Sequence, residues 1–357
     1  MNQKIAWREI GAFLGLTFTV TYLLNLFMYL TVGYTMTAGA GFLLQGMMLI
    51  PAFSAILLRL FVFKSSPIYF RTFRERPRFF FYFFLLYALV YLILGVCIVL
   101  IGEERFLMFA LIIAQVLTLG GLLFVVILRL LSGGESFQKA GLSGGRVKYY
   151  LLFGLLIVAL YGGMTFLNYL FRLGEAVDVK AFLSLAAGGR PTGLENLSAS
   201  LILLITGLQT VLLSPLIALL ITFGEEYGWR GYLQQEMIKL DRVKGIALVG
   251  VIWGIWHAPV ILMGHNYPGY PVLGAFLMIV YCMALAFIFG LAVLKSGSVW
   301  LAAFLHGLNN QTWGFFGMMV YKPKDPVFSF GIGIYSLVVF ALVVGLLLFS
   351  KEWRGDE

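Results

Sequence analysis

Side chains that can move protons or stabilise charge stand in three short motifs, each inside a long apolar stretch. Glu225 and Glu226 precede Arg230, Trp253 precedes His257, and His306 precedes Asn310. Ionisable groups are costly at membrane depth, so they are functional-site hypotheses by default. Two of the chain's three histidines lie in such stretches. The three motifs therefore mark a candidate site for acid–base chemistry.

Helical spacing suggests how the first motif works. Glu226 and Arg230 are four residues apart, so they share a helix face and are expected to pair, which would hold the helix in place. Glu225 points about a third of a turn away and lacks that partner. A poorly compensated carboxylate in a low-dielectric site is suited to accept a proton from water.

The other two motifs supply hydrogen-bonding groups. His306 and Asn310 are also four residues apart, and a neutral imidazole and an amide on one helix face would both donate to one oxyanion. Trp253 stands one turn before His257 and is expected to pack on its ring.

Each motif taken singly has a plainer interpretation. A Glu–Glu pair at a helix end is commonly solvated, and Asn309 and Asn310 would serve equally well to join helices. His265 lies in a Pro- and Gly-containing loop and is expected at the surface. Three polar motifs on three apolar helices nevertheless favour one common site.

The elements that position these motifs must be membrane-spanning helices. Of 357 residues, 61% are hydrophobic and 11% charged, and the mean hydropathy is +0.96. This composition excludes a soluble enzyme, a disordered chain and a disulfide scaffold, and it predicts an all-α polytopic membrane protein with about 8–10 transmembrane helices. The candidate spans are 9–32, 38–63, 79–101, 106–131, 147–171, 199–224, 243–263, 272–294, 298–320 and 328–350. The longest connection, 172–198, is expected to be a surface loop.

Basic residues predict the orientation. The net charge of +9 collects in short loops, which is typical of membrane topology and not of a nucleic-acid-binding surface. Of 25 Lys and Arg residues, 19 fall on the side that holds both termini, so both termini are expected in the cytoplasm of a multi-pass cell-membrane protein. On this scheme Glu225 lies at the cytoplasmic end of its span, and the site is reached from the cytoplasm.

The order of the motifs resembles a known family. Glu-Glu-x-x-x-Arg, aromatic-x-x-x-His and His-x-x-x-Asn occur in this order in the CAAX protease and bacteriocin-processing (CPBP, Abi) intramembrane endopeptidases, which include the Rce1-like CAAX prenyl endopeptidases. Gly297-Ser298-Val299-Trp300 leads into the third motif much as in family members. The resemblance covers about 200–315, and Trp253 stands where Phe is usual. It suggests additional helices over 1–145, a protease core over 146–320, and a final helix with a cytoplasmic tail over 321–357.

The resemblance implies roles for the motif residues. Glu225 with His257 would activate a water, and His306 with Asn310 would form the oxyanion hole. Glu226, Arg230 and Trp253 would support them. The implied substrate is a peptide or a membrane-anchored, lipidated protein cut near the cytoplasmic face, with membrane lipids and no nucleic acid as partners. The oligomeric state is left open.

The sequence favours a mechanism without a metal or other cofactor. It contains no His-Glu-x-x-His pair. A zinc site would have to be assembled from Glu225, His257 and His306 on three different helices.

Two other functions remain to be weighed. The same fold would serve a non-catalytic immunity or binding protein, although such a protein has no need of all four candidate catalytic residues. A transporter or channel would use Glu225, His257 and His306 as a proton or ion path. The lack of visible internal repeats disfavours the transporter.

Overall fold

The computed structural model describes residues 4–33, 37–188, 192–194 and 196–354, and these are predominantly helical. Within them, seven helical segments are long and apolar enough to cross a membrane, which confirms a multi-pass helical membrane protein. These segments are Trp7–Thr31 (α1), Ala38–Phe61 (α2), Arg78–Ile101 (α3), Glu103–Lys139 (α4), Val147–Leu170 (α5), Ala199–Ile217 (α7 and α8) and Pro271–Ser296 (α13).

The span that carries the Glu-Glu motif is broken and then continues. Its pieces are α7 (Ala199–Leu212), α8 (Ser214–Ile217), α9 (Leu219–Glu226), a first π-helix (Tyr227–Leu233) and α10 (Gln234–Met237). Pro215 lies in the first turn of α8, where its missing N–H interrupts the preceding helix. Glu225 was expected at the end of its span, and helical structure continues beyond it to Met237.

The spans with the other two motifs are also interrupted. The second motif lies on α11 (Arg242–Trp256), which is followed after His257 by α12 (Ala258–Leu262), with Pro259 in its first turn. The third motif lies on α14 (Val299–Gly314), which runs into a second π-helix (Phe315–Val320). Side chains cap both helices, since Asp241 accepts from the Lys244 amide and Ser298 from the Leu301 amide.

The connection 172–198 contains regular structure and is not a plain loop. It forms β1 (Gly174–Ala176) and α6 (Val179–Ala186). β1 pairs antiparallel with β2 (Tyr321–Pro323), with Glu175 opposite Lys322. The pairing ties the chain after α5 to the chain after α14.

The last expected span, 328–350, is helical over a shorter range. Its helix is α15 (Ser336–Leu347), and the short 3₁₀-helix Lys351–Trp353 follows. The chain before α15 is irregular, and Asn168 of α5 holds it by exchanging two hydrogen bonds with the Phe330 backbone, at 2.8 and 2.9 Å. This part of the chain therefore forms a structured cap over the ends of α5 and α14.

Glycines let α9 and the first π-helix (219–233, here called the motif helix) approach α2 closely. A Cβ at Gly224 would lie 2.5 Å from the Met48 carbonyl oxygen, and one at Gly228 would lie 2.6 Å from the Pro51 carbonyl carbon. Both contacts are with backbone, which cannot move aside as a side chain can. The predicted boundary at residue 145 is thus crossed by direct packing of α2 on the motif helix.

Gly228→Ala is expected to destabilise the protein, because its methyl group would press on the α2 backbone. Overpacking of this kind costs about 1–3 kcal/mol, so thermal unfolding in detergent should shift to lower temperature. Gly163→Ala in α5 is the matched control, since nothing lies within 4 Å of a Cβ there. A Gly228→Ala variant as stable as this control would contradict the packing.

Candidate active site

The three motifs converge on one cavity of about 310 Å³. Glu225, His257, His306 and Asn310 all line it. The remaining wall comes from α2, α13 and the connections after α12 and β2. The structure therefore brings together the four residues that the sequence proposed as catalytic.

A fully buried ion pair lies next to the cavity residues Glu225 and His306. The Arg230 guanidinium lies 3.0 and 3.1 Å from the two carboxylate oxygens of Glu226, and both side chains are completely buried. The imidazole Nδ1 of His306 lies 2.8 Å from Glu226 Oε1. Glu226 thus joins the first π-helix, which carries Arg230, to α14, which carries His306.

This contact changes the expected chemistry of His306. Since the carboxylate of Glu226 accepts, Nδ1 of His306 must donate. A neutral ring then has an unprotonated Nε2, which cannot donate to an oxyanion as expected. His306 can donate to an oxyanion from Nε2 only when both of its ring nitrogens are protonated.

Trp253 contacts residues of all three motifs. Its indole Nε1 donates to Glu225 Oε2 at 2.6 Å. Its ring lies 5.6 Å from the His306 ring and 5.8 Å from the His257 ring, centroid to centroid, and the Arg230 guanidinium sits 4.1 Å above it. Phe, the usual residue here in the resembling family, has no N–H. Trp253 therefore makes a side-chain hydrogen bond to Glu225 that Phe could not make.

His257 has one nitrogen committed to the backbone. Its Nδ1 lies 2.9 Å from the Trp253 carbonyl oxygen, so Nδ1 carries the proton and Nε2 is an acceptor. Trp256 packs edge-on against the ring at 4.7 Å. The thiol of Cys282 lies 3.7 Å from the same Nδ1. The ring is thereby fixed in both position and tautomer.

The two asparagines of the third motif have different surroundings. Asn309 is buried and bonds to Tyr161 at 2.8 Å and Tyr281 at 3.0 Å, as a residue that joins helices does. Asn310 is exposed to the cavity, and its Oδ1 accepts from Asn309 Nδ2 at 3.2 Å. Because its oxygen is engaged, the free end of the Asn310 amide is a donor.

Two cavity residues escaped the sequence analysis. His265 was expected at the surface, but it is half-buried and lines the cavity. Gln45 of α2 also lines it, and the Tyr91 hydroxyl donates to its Oε1 at 2.5 Å. An isolated glutamine in an apolar helix was the available signal for Gln45, whereas nothing in the sequence placed the loop of His265 over the site.

The suggested zinc ligands do not form a metal-binding group in this arrangement. Across the residues that the structure describes, no cluster of three or more His, Cys, Asp or Glu side chains is placed to hold a metal ion. Each of the three side chains instead has one polar atom in a hydrogen bond to another protein group: Glu225 with the Trp253 indole, His257 with the Trp253 carbonyl, and His306 with Glu226.

Breaking the buried ion pair should be costly for stability. Arg230→Met would leave the buried Glu226 with His306 as its remaining partner, and removing one member of a buried ion pair lowers the free energy of unfolding by about 3–5 kcal/mol. The double variant Glu226→Gln/Arg230→Met should be less destabilised than Arg230→Met alone. Melting temperatures measured in detergent would test this. Lys239→Met is the control, because its pair with Glu236 is partly exposed and worth about 1 kcal/mol or less. Equal stability of Arg230→Met and Lys239→Met would contradict this account.

A comparison with known proteins gives a match over the region of the three motifs. Residues 207–312, about a third of the chain, match the family model described as type II CAAX prenyl endopeptidase Rce1-like. No curated protein and no solved structure matches the chain. The matched range contains all three motifs, and it confirms the resemblance that their order suggested. Over these residues the chain carries an Rce1-like domain, whose family role is in general that of a CAAX-type intramembrane protease.

Proposed function

We propose that this protein is an intramembrane endopeptidase in which Glu225 activates a water molecule. The observation that carries the proposal is the shared cavity, which collects a carboxylate, two imidazoles and an amide from three helices. The Rce1-like match supports the reaction class. The assignment of individual residues is our inference from their contacts.

Glu225 and His257 supply two acceptors for the attacking water. One oxygen of Glu225 is held by Trp253, and the other has no hydrogen-bond partner among the described residues. His257 Nε2 is unprotonated because Nδ1–H is given to the Trp253 carbonyl. A water that donates one proton to each acceptor directs its lone pair away from both, towards a substrate carbonyl carbon. Glu225 takes the proton as the C–O bond forms.

Asn310 and His306 stabilise the resulting oxyanion. Asn310 offers its Nδ2 hydrogens, since Oδ1 is tied to Asn309. Doubly protonated His306 offers Nε2–H, and Glu226 compensates its charge. Donors fixed before the reaction in this way typically contribute about 3–4 kcal/mol each to lowering the barrier. Collapse of the intermediate breaks the C–N bond, and Glu225 returns its proton to the leaving amine.

The Cys282 thiol is an alternative nucleophile to water because it lies close to His257. It lies 3.7 Å from His257 Nδ1, an arrangement that a cysteine protease would use. That nitrogen, however, already donates to the Trp253 carbonyl and cannot accept the thiol proton. The contacts of His257 therefore favour water over Cys282 as the nucleophile.

A binding protein or a transporter fits these contacts less well. Binding alone does not require a carboxylate, an imidazole acceptor and an amide donor with their free ends in one cavity. In a transporter, the charged groups beside Glu225 would be expected to contact water, whereas the Glu226–Arg230 pair is completely buried. We also propose that no metal takes part, since the contacts of Glu225, His257 and His306 serve the reaction without one.

Glu225→Gln should abolish peptide cleavage and leave the fold intact, because the amide cannot take a proton from water but keeps the size of the side chain. Purified protein in detergent would be incubated with a library of fluorogenic peptides, some of them lipidated, with and without a strong chelator. Cleavage by the wild type should survive chelation. Glu175→Gln on β1 is the control and should retain activity. Cleavage that chelation abolishes and zinc restores would overturn the metal-free mechanism.

Trp253→Phe tests the hydrogen bond to Glu225. The ring contacts with both histidines are kept, while the 2.6 Å bond is lost. A hydrogen bond to a charged group is worth about 1.5–3 kcal/mol, and because this bond positions Glu225 we expect kcat to fall by about 10- to 100-fold. Trp256→Phe, whose indole bonds to Thr21 instead, is the control. A kcat of Trp253→Phe equal to that of the wild type would show that Trp253 does not act through Glu225.

A further inference from the structure

The helical bundle has two ends with different connections. One end, here called the basic end, holds the connections 62–77, 140–146 and 238–241 and the C-terminal segment 351–354. Hydrogen bonds hold several of these together: Arg242 donates to the Glu352 carbonyl at 2.5 Å, and Ser65 donates to Glu9 at 2.9 Å. Lys295 pairs with Glu352 at 2.6 Å, and the Ala6 amide donates to Glu236 at 3.3 Å. Both described chain ends therefore lie at the basic end.

The opposite end, here called the far end, holds the connections 171–178, 263–270 and 321–335. Hydrogen bonds also join these connections to one another. The Tyr267 hydroxyl donates to the Ile332 carbonyl at 2.7 Å, and the Lys324 amide donates to the Leu173 carbonyl at 3.0 Å.

The cavity belongs to the far end. Apart from His257, which lies between α11 and α12, the lining residues outside helices are His265, Asn266 and Ile332, and these three come from far-end connections. No described residue of the basic-end connections lines it. The first π-helix (Tyr227–Leu233) and α10 continue the motif helix beyond Glu225, and they separate the cavity from the basic end.

Charge distinguishes the two ends. Arg230 is buried in its pair with Glu226, which leaves 18 of the 19 Lys and Arg residues counted on the side of the termini. The far side has 6, of which Arg190 lies outside the described residues. Loops rich in Lys and Arg stay in the cytoplasm. The termini and the cavity mouth cannot both face the cytoplasm, since they lie at opposite ends.

We infer that the basic end is cytoplasmic and that the cavity opens on the non-cytoplasmic side of the membrane. The inference replaces the sequence-based expectation of cleavage near the cytoplasmic face, and it rests on the proposed peptidase function for its consequence. The substrates are peptide segments exposed at the outer membrane–water boundary after export. At about 310 Å³ the cavity is near the lower limit of ligand pockets, so it accepts a short extended segment and not a folded domain.

Labelling of single cysteines tests the orientation without any need for activity. In a Cys97→Ser/Cys282→Ser background, His265→Cys reports the cavity rim, and Ser65→Cys reports the basic end as the matched control. A membrane-impermeant maleimide would be applied to right-side-out and to inverted vesicles from the expressing cells. We expect His265→Cys to react only in right-side-out vesicles and Ser65→Cys only in inverted ones.

Reaction of His265→Cys only in inverted vesicles would overturn the inference, as would reaction of both variants from the same side. Should the rim cysteine be too enclosed to react, Lys322→Cys on exposed β2 reports the same end. Its labelling in right-side-out vesicles supports the inference, and its labelling in inverted vesicles overturns it.

Activity measurements distinguish this inference from the proposed function. A peptide that the detergent-solubilised protein cleaves should be cut when added outside right-side-out vesicles and should remain intact outside inverted ones. The opposite result would overturn the orientation and leave the peptidase standing. If the solubilised protein cuts no peptide, the proposed function fails, while the labelling pattern still decides which side the cavity faces.

Discussion

The arrangement of the site depends on one buried contact, the carboxylate of Glu226 between the guanidinium of Arg230 and the imidazole of His306. A buried carboxylate without compensation is strongly unfavourable, and here two partners on different elements contact it. The requirement fixes α14 against the motif helix. It also fixes Glu225, the preceding residue, at the wall of the cavity, where Trp253 holds one of its oxygens. Glu226 thus holds the helices together, while Glu225 lines the cavity.

The N-terminal helices are part of this arrangement. Gly224 and Gly228 let α2 lie directly against the motif helix, and Gln45 brings a polar group into the same cavity. The stretch that matches the Rce1-like model contains the three motifs, whereas α2 lies outside it. Part of the cavity wall is therefore built from residues that the family match does not cover.

The sequence predicted the features that depend on residues close together in the chain. The apolar stretches, the Glu226–Arg230 pair and the order of the motifs follow from spacing along single helices. Contacts between distant residues did not follow: His306 lies 80 residues from Glu226, and Trp253 lies 28 residues from Glu225. The burial of Tyr227, Trp229 and Arg230 in the first π-helix was not foreseen, because polar residues after an apolar stretch look like the end of a helix. His265 was misjudged because loop composition does not reveal what a loop covers.

The central claim is that a water activated by Glu225, and not the thiol of Cys282, attacks the peptide bond. The most direct measurement compares kcat for peptide cleavage by Cys282→Ala and Glu225→Gln, purified side by side and shown to unfold at similar temperatures. Our account predicts that Cys282→Ala keeps most of the activity and that Glu225→Gln has none. Loss of cleavage in Cys282→Ala with activity retained in Glu225→Gln would contradict it.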